Sequence, residues 1–320
     1  MQLENHTSAA AYLYAVNLLE PQLRVAAIVK KTYAITTGGQ LAPAEDGVPL
    51  VPDQMVTDYG QFHGDVFFRK RGIDVCVLAS VRLRNPLRQT VVRLEVGTWG
   101  HNLKVVGDRT WVRNRSGTPV ASPPTPFKDM PISYGRAFGG IAHRKGEDLQ
   151  WPDNPTGRGY YEDPEDANGK PLPNIEPSNW PSDYEWNARV PVAGWGPYPM
   201  YWGLRASRSV KVDPKTGKLL DVTPELFNQA HPELIVDEIS CGSRLRLVGV
   251  RDQPLVIATP REQPHLEVQV GRTQSNALGE LDGLYWWADA ERLVVTWRAR
   301  FRYAVKAEEV RLARLTFVEV

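Results

Sequence analysis

Proline is the residue that most limits how this chain can fold, and it is unevenly placed. Of 26 prolines, 15 fall between Pro119 and Pro199, together with nine glycines. Each proline fixes φ and removes a backbone donor, so no long hydrogen-bonded ladder runs through residues 116–205. Five of the ten tryptophans, from Trp151 to Trp202, lie in the same stretch. A disordered linker would share the proline but lack the aromatics. The stretch is therefore expected to be ordered, irregular and pinned by aromatic side chains. Segments of this length without regular structure are often functional.

The flanks read differently. Val25–Tyr33 is β-branched and stops near Gly38-Gly39. Ile73–Val81 is a mostly apolar run suited to a strand covered on both faces, whereas Val91–Val96 alternates polar and apolar as a half-exposed strand does. Leu103–Arg109 repeats the theme, with a turn or bulge expected at Gly107. After residue 205 come strand-like runs at Arg244–Val250, Leu255–Ala258, His265–Val270, Leu293–Phe301 and Leu312–Val320. Thr223–Ala230 carries a Thr cap with proline behind it and reads as a short helix; Glu308–Arg314 reads as a terminal helical turn. Residues 11–19 fit a helix or a strand equally. The expected fold class is mainly β: packed antiparallel sheets in a sandwich-like arrangement, a long ordered Pro/Gly/Trp-rich segment and few short helices. A single domain over 1–320 is expected, with a division into 1–115, 116–205 and 206–320 as the alternative.

Composition excludes several classes of function. Lys and Arg number 38 against 37 Asp and Glu, so no global basic excess points to nucleic acid or an acidic membrane surface. The uncharged stretches 5–19 and 190–204 fall short of the ~20 apolar residues of a membrane-spanning helix. The N-terminus lacks the basic region of a secretory signal, which points to a cytoplasmic protein. Cys76 and Cys241 lie far apart in no metal-type pair and are read as two reduced, buried thiols.

No cofactor or metal is expected. The six histidines, His6, His63, His101, His143, His231 and His265, form no HExxH or Cys/His cluster. There is no GxSxG elbow, no phosphate-binding glycine loop, and no base beside Ser240-Cys241-Gly242-Ser243, where Cys241 reads as a small core residue. The sharpest enzymatic reading is a carbohydrate hydrolase. Ten acidic residues, Glu147, Asp148, Asp153, Glu162, Asp163, Glu165, Asp166, Glu176, Asp183 and Glu185, stand among Trp and Tyr, and two carboxylates across a sugar bond plus aromatic walls are what such an enzyme needs. Asp163 and Glu176 represent that reading. Against it, acidic residues in polar loops are commonly just solvated, and loop tryptophans commonly replace missing secondary structure as hydrophobic anchors. An ordered aromatic segment also suits a protein-docking surface, because Trp, Tyr and Arg dominate binding hot spots.

Six stretches, in order, together resemble the bacterial family of type VI secretion effector adaptors. They are Gly72-Ile73-Asp74-Val75; Lys104 with Gly107-Asp108-Arg109-Thr110-Trp111; Pro126-Phe127 with Met130 through Gly140; Asn154 through Tyr160; Leu172 through Glu176; and Pro191 through Pro197. The family was first catalogued as a domain of unknown function. Ala79-Ser80, where the family has a glycine, is a departure. The resemblance implies a non-enzymatic cytoplasmic adaptor or chaperone that holds an effector with a PAAR or related spike-tip domain and helps load it on the secretion spike, with the spike protein as a second partner. A structural part of the secretion apparatus is the alternative within the same setting. Six residues of these stretches, Tyr134, Arg136, Phe138, Asn174, Glu176 and Trp195, are singled out as structural or partner-binding. Asn174 suits a turn in which a side chain replaces a backbone group. Arg136 is read as a buried guanidinium holding loop carbonyls or Glu176, and Phe138 and Trp195 as aromatic anchors.

Overall fold

The 13-residue strand Leu23–Ile35 is apolar on both faces, with Val25, Ala26, Ala27, Ile28 and Val29 all buried, so it belongs inside a covered sheet. In the computed structural model, which describes residues 3–16, 23–51, 54–57, 60–144, 146–181, 183, 185–270, 272–303 and 310–319, it does. The seven-stranded central sheet runs Ala10–Val16, Leu23–Ile35, Arg292–Tyr303, Glu280–Trp287, Ile73–Leu78, Ile235–Val236, with Leu41–Pro43 also paired to Leu23–Ile35. Residues 10–16 are thus strand; residues 17–19 of that ambiguous segment lie outside the described residues.

One pairing in this sheet is parallel. Ile73–Leu78 lies beside Glu280–Trp287 with Asp74 opposite Gly283 and Leu78 opposite Trp287. A parallel neighbour requires a crossover, and here the crossover is everything from residue 79 to 279. It contains the second sheet, ordered Ile175–Pro177, Trp99–Val106, Gln89–Val96, Arg244–Val248, Leu255–Ala258 and antiparallel throughout. Val92, Leu94 and Val96 point inward while Val91 is exposed, as the alternation predicts. Both sheets draw strands from before residue 115 and after residue 206, and one contiguous hydrophobic cluster includes Val75 and Val77 of the first with Leu94, Leu103 and Leu247 of the second. A four-stranded sheet, Leu3–Asn5, Val310–Glu319, Glu262–Val270 and Thr273–Leu278, abuts the central one. There the rings of Trp297 and Phe317 meet edge to face at 5.6 Å, and Lys31 reaches Glu262 at 2.6 Å.

The chain is mainly β, with short helices at Pro164–Ala167 and Gly203–Ser209. Three local readings need correction. Residues 310–314 are strand, because Val310–Glu319 is the partner that Glu262–Val270 needs on one side; residues 308 and 309 lie outside the described residues. The expected helix at 223–230 is a single 3-10 turn, Pro224–Phe227, whose Thr223 makes no side-chain cap bond. It ends where Asn228, Gln229 and Ala230 turn to bond Asp74 instead. Cys241 is exposed, because it lies in a turn with Gly242 rather than in a strand; Cys76 is buried, and both are free thiols.

A buried ionic cluster lies at the Asp74 end of the Ile73–Leu78 strand. Asp74 is fully buried and accepts from Lys70, from the Asn228 amide and from the backbone of Gln229 and Ala230. Lys70 also lies 3.3 Å from Asp282, which Arg298 holds at 3.0 Å. Asp282 reaches them because the register slips between Leu281 and Gly283, and such a bulge re-aims a side chain. Burial alone would pull Lys70 down, but Asp282 and Asp74 outweigh it and hold the ammonium above its ordinary range. Burial likewise pushes Asp282 up, and Arg298 and Lys70 hold it below the usual carboxylate range. Removing one member strands the others without water. We therefore expect Lys70→Met to cost about 3–5 kcal/mol in urea unfolding, and a loss under about 1 kcal/mol would contradict this reading of the cluster.

Candidate functional site

Asn174 is the hub of the irregular segment. It is fully buried, and its amide nitrogen donates to the Val106 carbonyl and to Asp108, both at 3.0 Å. Its amide oxygen accepts from Arg136 at 3.1 Å and Arg158 at 3.3 Å. Its backbone N–H donates to the Arg136 carbonyl, and its own carbonyl accepts from Val106 N–H, each at 2.8 Å. A single side chain thus ties residues 106–108, 136 and 158 together beside two short ladders, Ile175–Pro177 with Trp99–Val106 and Phe138–Gly139 with Arg158–Gly159.

Glu176 stands two residues on, in the Ile175–Pro177 strand, directly opposite Lys104 in the register. It is fully buried, with Lys104 at 2.9 Å on one oxygen and Arg109 on the other. Arg109 also donates to the Pro173 carbonyl at 2.9 Å, and Lys104 to the Trp180 carbonyl at 2.6 Å. The role expected of Arg136, a buried guanidinium on Glu176 and loop carbonyls, therefore belongs to Arg109. Arg136 itself is partly exposed and serves Asn174, with Asp108 at 3.7 Å.

The aromatic members pin the same segment. Tyr134 is buried edge-on to Tyr198 and Trp202, with centroids 5.5 Å away in each case. Gly194 lies so close that a Cβ there would stand 2.6 Å from the Tyr134 ring. Phe138 is buried against Trp151, edge to face at 5.3 Å. Asn154, which the sequence reading left inside a motif without a role, is a second hub: its amide donates to the carbonyls of Tyr134 at 2.8 Å and Phe138 at 3.0 Å. Trp195 is fully buried; its carbonyl accepts from Val77 N–H at 2.7 Å, so it substitutes for a neighbouring strand beside Ile73–Leu78.

Trp195 also organises a histidine pair. Its indole donates to His101 Nδ1 at 3.1 Å, which leaves the Nε2 proton of His101 for Glu233 at 3.2 Å. His231, buried and edge-on to Tyr198, accepts Glu233 N–H through Nδ1. Burial, with Arg205, Arg208 and the neighbouring His101, pulls His231 from 6.5 down to about 4 despite Glu233. The unfolded chain therefore takes up a proton that the folded chain refuses between those two values. Stability should be full above pH 6.5 and fall as pH drops toward 4, by roughly 3 kcal/mol from this group. His231→Asn keeps an acceptor for Glu233 N–H and should flatten that part of the urea-midpoint profile; an unchanged profile would contradict it. Among the described residues, no three His, Cys, Asp or Glu side chains are placed to hold a metal ion.

The acidic residues of the segment are largely engaged. Asp163 caps the Pro164–Ala167 turn by accepting Glu165 N–H at 2.8 Å. Glu162 pairs with Arg189 at 3.1 Å, and Asp148 with His143 at 2.6 Å. Glu176 is sealed from solvent, so Asp163 and Glu176 do not face one another across a cleft. Asp183 and Glu185 do line a groove of about 520 Å³ with Trp186 and Val120. If Glu176 is scaffold, Glu176→Gln should lose about 3–5 kcal/mol by urea unfolding, since it leaves Lys104 and Arg109 unpaired; an unperturbed midpoint would contradict that role.

Two open clefts adjoin this scaffold; Gly72 and Ile73 of the first motif stretch and Cys241 line the larger, and no motif stretch contributes to the smaller. The larger, of about 780 Å³, has Lys70, Asp282 and Arg298 in its floor and Arg69, Asp237 and Glu238 on its walls. The smaller, of about 400 Å³, is lined by Arg71, Arg205, Arg208 and Lys211 with Ser209 and Thr223. They share Arg71 and Glu225, whose charges lie 3.8 Å apart. These basic residues are spread from position 71 to 211, so only the fold brings them together.

No helix among the described residues is long and apolar enough to cross a membrane. No curated protein and no solved structure matches the chain. Residues 21–298 match the profile of a family described as an uncharacterized protein conserved in bacteria (DUF2169). The match includes every scaffold residue described above, and the chain belongs to that family.

Proposed function

We propose that this chain is a cytoplasmic, non-enzymatic adaptor that binds a type VI secretion effector carrying a PAAR or related spike-tip domain and helps load it on the spike. The observation that carries this reading is the consumption of the polar motif side chains by the scaffold. Asn154, Asn174, Glu176 and Arg109 are buried and spend their hydrogen bonds on loop carbonyls, backbone amides and one another. A catalytic carboxylate needs access to substrate; Glu176 has none. A rigid platform with open clefts at its rim suits the holding of another protein. An adaptor of this kind stabilises its client by mass action, because it binds one state selectively.

The test is co-expression with the effector encoded beside this gene, with only this chain tagged, followed by light scattering on the eluate. The expected result is a stoichiometric complex, with the effector insoluble when made alone. A monomeric adaptor and an independently soluble effector would overturn the reading for that pair. Spike association with no dependence on any effector would favour a structural part of the apparatus. Glycan turnover lost in Asp183→Asn would move the function to the Trp186 groove.

A further inference from the structure

The groove beside Trp186 runs along a strand edge that is left unpaired among the described residues. Its lining takes residues 118–121 in succession on one side and Asp183, Glu185, Trp186 and Asn187 on the other. Successive strand residues point to opposite faces, so a cavity that touches four in a row lies along the strand's edge rather than on one face. The strand is Pro119–Ala121, which pairs with Trp111–Arg113 as a two-stranded hairpin and with no other strand. The far edge of Trp111–Arg113 is already spent: Trp111 N–H donates to the Lys170 carbonyl, and the Trp111 carbonyl accepts from Gly169 N–H. Within the hairpin, Asn114 N–H bonds to the Thr118 carbonyl and Ser122 N–H to the Thr110 carbonyl. With Val112 opposite Val120, the bonded pairs are therefore 110 with 122, 112 with 120 and 114 with 118. The backbone groups of Pro119 and Ala121 turn the other way, to the open edge. They offer one donor, Ala121 N–H, and two acceptors, the carbonyls of Pro119 and Ala121, and none of the three is bonded among the described residues.

The opposite wall sets what can lie there. Trp186 is half-buried and, like Ala121, packs against the cluster of Trp111, Ala167 and Leu172, which fixes the ring beside the hairpin. Asp183 and Glu185 are exposed, and neither carboxylate has an ion pair or a hydrogen bond among the described residues. The lining holds no Lys or Arg. The cations nearest in sequence are engaged elsewhere, Arg113 with Glu165 at 2.6 Å and Arg189 with Glu162 at 3.1 Å. The groove thus joins an unpaired strand edge, an aromatic wall and two uncompensated negative charges.

We propose that this groove docks an extended, basic segment of the client effector as a third strand of the hairpin. The segment's backbone meets Ala121 N–H and the carbonyls of Pro119 and Ala121. Its Lys or Arg heads reach Asp183 and Glu185, and their stems lie along Val120 and Trp186. This rests on the adaptor reading and names the surface through which it acts. The unpaired backbone groups carry the choice of an extended polypeptide over a small cation, and the two uncompensated carboxylates carry the choice of a basic one. A two-stranded hairpin is marginal in water, so a third strand also steadies it.

The experiment has two arms. In the first, a fluorescein-labelled Lys-Thr repeat peptide and its Gln-Thr counterpart are titrated with the full chain by anisotropy. The Lys-Thr peptide should bind at least about tenfold more tightly, and should lose about tenfold in affinity toward Asp183→Asn/Glu185→Gln. Both side chains are exposed, so the urea midpoint of that variant should match the unaltered chain. Two further Lys-Thr peptides carry N-methyl groups on every Thr or on every Lys. Only alternate N–H groups of an added strand face the hairpin, so at least one of the two should bind about tenfold more weakly. Equal binding of the Lys-Thr and Gln-Thr peptides, no binding of either, or undiminished binding of both N-methylated peptides would overturn the proposal. In the second arm the double variant is co-expressed with the neighbouring effector. Loss of the effector supports the docking groove. Its retention sinks this groove and leaves the adaptor reading standing, whereas failure of the unaltered chain to hold the effector sinks the adaptor reading and this proposal with it.

Discussion

Two buried asparagine side chains do for residues 116–205 what β-ladders do for the rest of the molecule. Proline removes donors and keeps the ladders there to short pieces, such as Phe127–Pro131 with Ser80–Leu87 and Ile141–Arg144 with Glu147–Gln150, yet the buried carbonyls between them still need partners. Asn154 and Asn174 supply them, each extending the ties between segments beyond the two or three residues that the strand pairs there cover. A side-chain amide has two donors and an acceptor in one plane, so it stands in for a peptide group without demanding extended backbone. The aromatic packing of Tyr134, Phe138 and Trp195 depends on those bonds to set the loops at the right height. In turn, Trp195 completes the exposed edge of the central sheet beside Val77.

The buried charges add specificity of arrangement more than net stability. Replacing a buried ion pair with apolar residues is often neutral or better, whereas removing one partner is costly. Lys104, Arg109 and Glu176 fix how the Ile175–Pro177 strand sits on the second sheet. Lys70, Asp74, Asp282 and Arg298 fix how the start of the crossover meets the end of it, since Asp74 and Asp282 lie on adjacent parallel strands just over two hundred residues apart in sequence. Of the two clusters only the second borders a cleft: Lys70, Asp282 and Arg298 form part of the lining of the larger one.

Much of the fold was legible because burial writes alternation and β-branching into the strands: Val91–Val96 folds as its pattern indicates, whereas Leu293–Phe301, whose alternation reads as half-buried, is a strand with Val294, Thr296 and Arg298 buried as well, because sheet packing covers both faces. The order of the proline-rich segment was legible from its tryptophans. Local patterns failed where a distant partner decides. Residues 310–314 have helix-forming side chains but are needed as a strand by Glu262–Val270. Arg136 and Arg109 look alike in sequence; the register that places Glu176 opposite Lys104 gives the buried carboxylate to Arg109. The parallel pairing and the shared clefts arise from the crossover, which no window of sequence contains. A charged residue inside an apolar run, Asp74 in Ile73–Leu78, was the available signal for the ionic cluster.

Amide hydrogen exchange on the free chain tests most directly whether side-chain hubs order the proline-rich segment. The N–H groups of Val106, Asn174 and Arg158 bond to carbonyls of Asn174, Arg136 and Ala137. If the hubs hold the segment as one unit with the sheets, these amides exchange only through global unfolding, as slowly as Val29 in the central sheet. Exchange of Asn174 and Arg158 as fast as that of the exposed 213–218 turn, while Val29 stays protected, would mean that the segment opens independently and is not the platform described here.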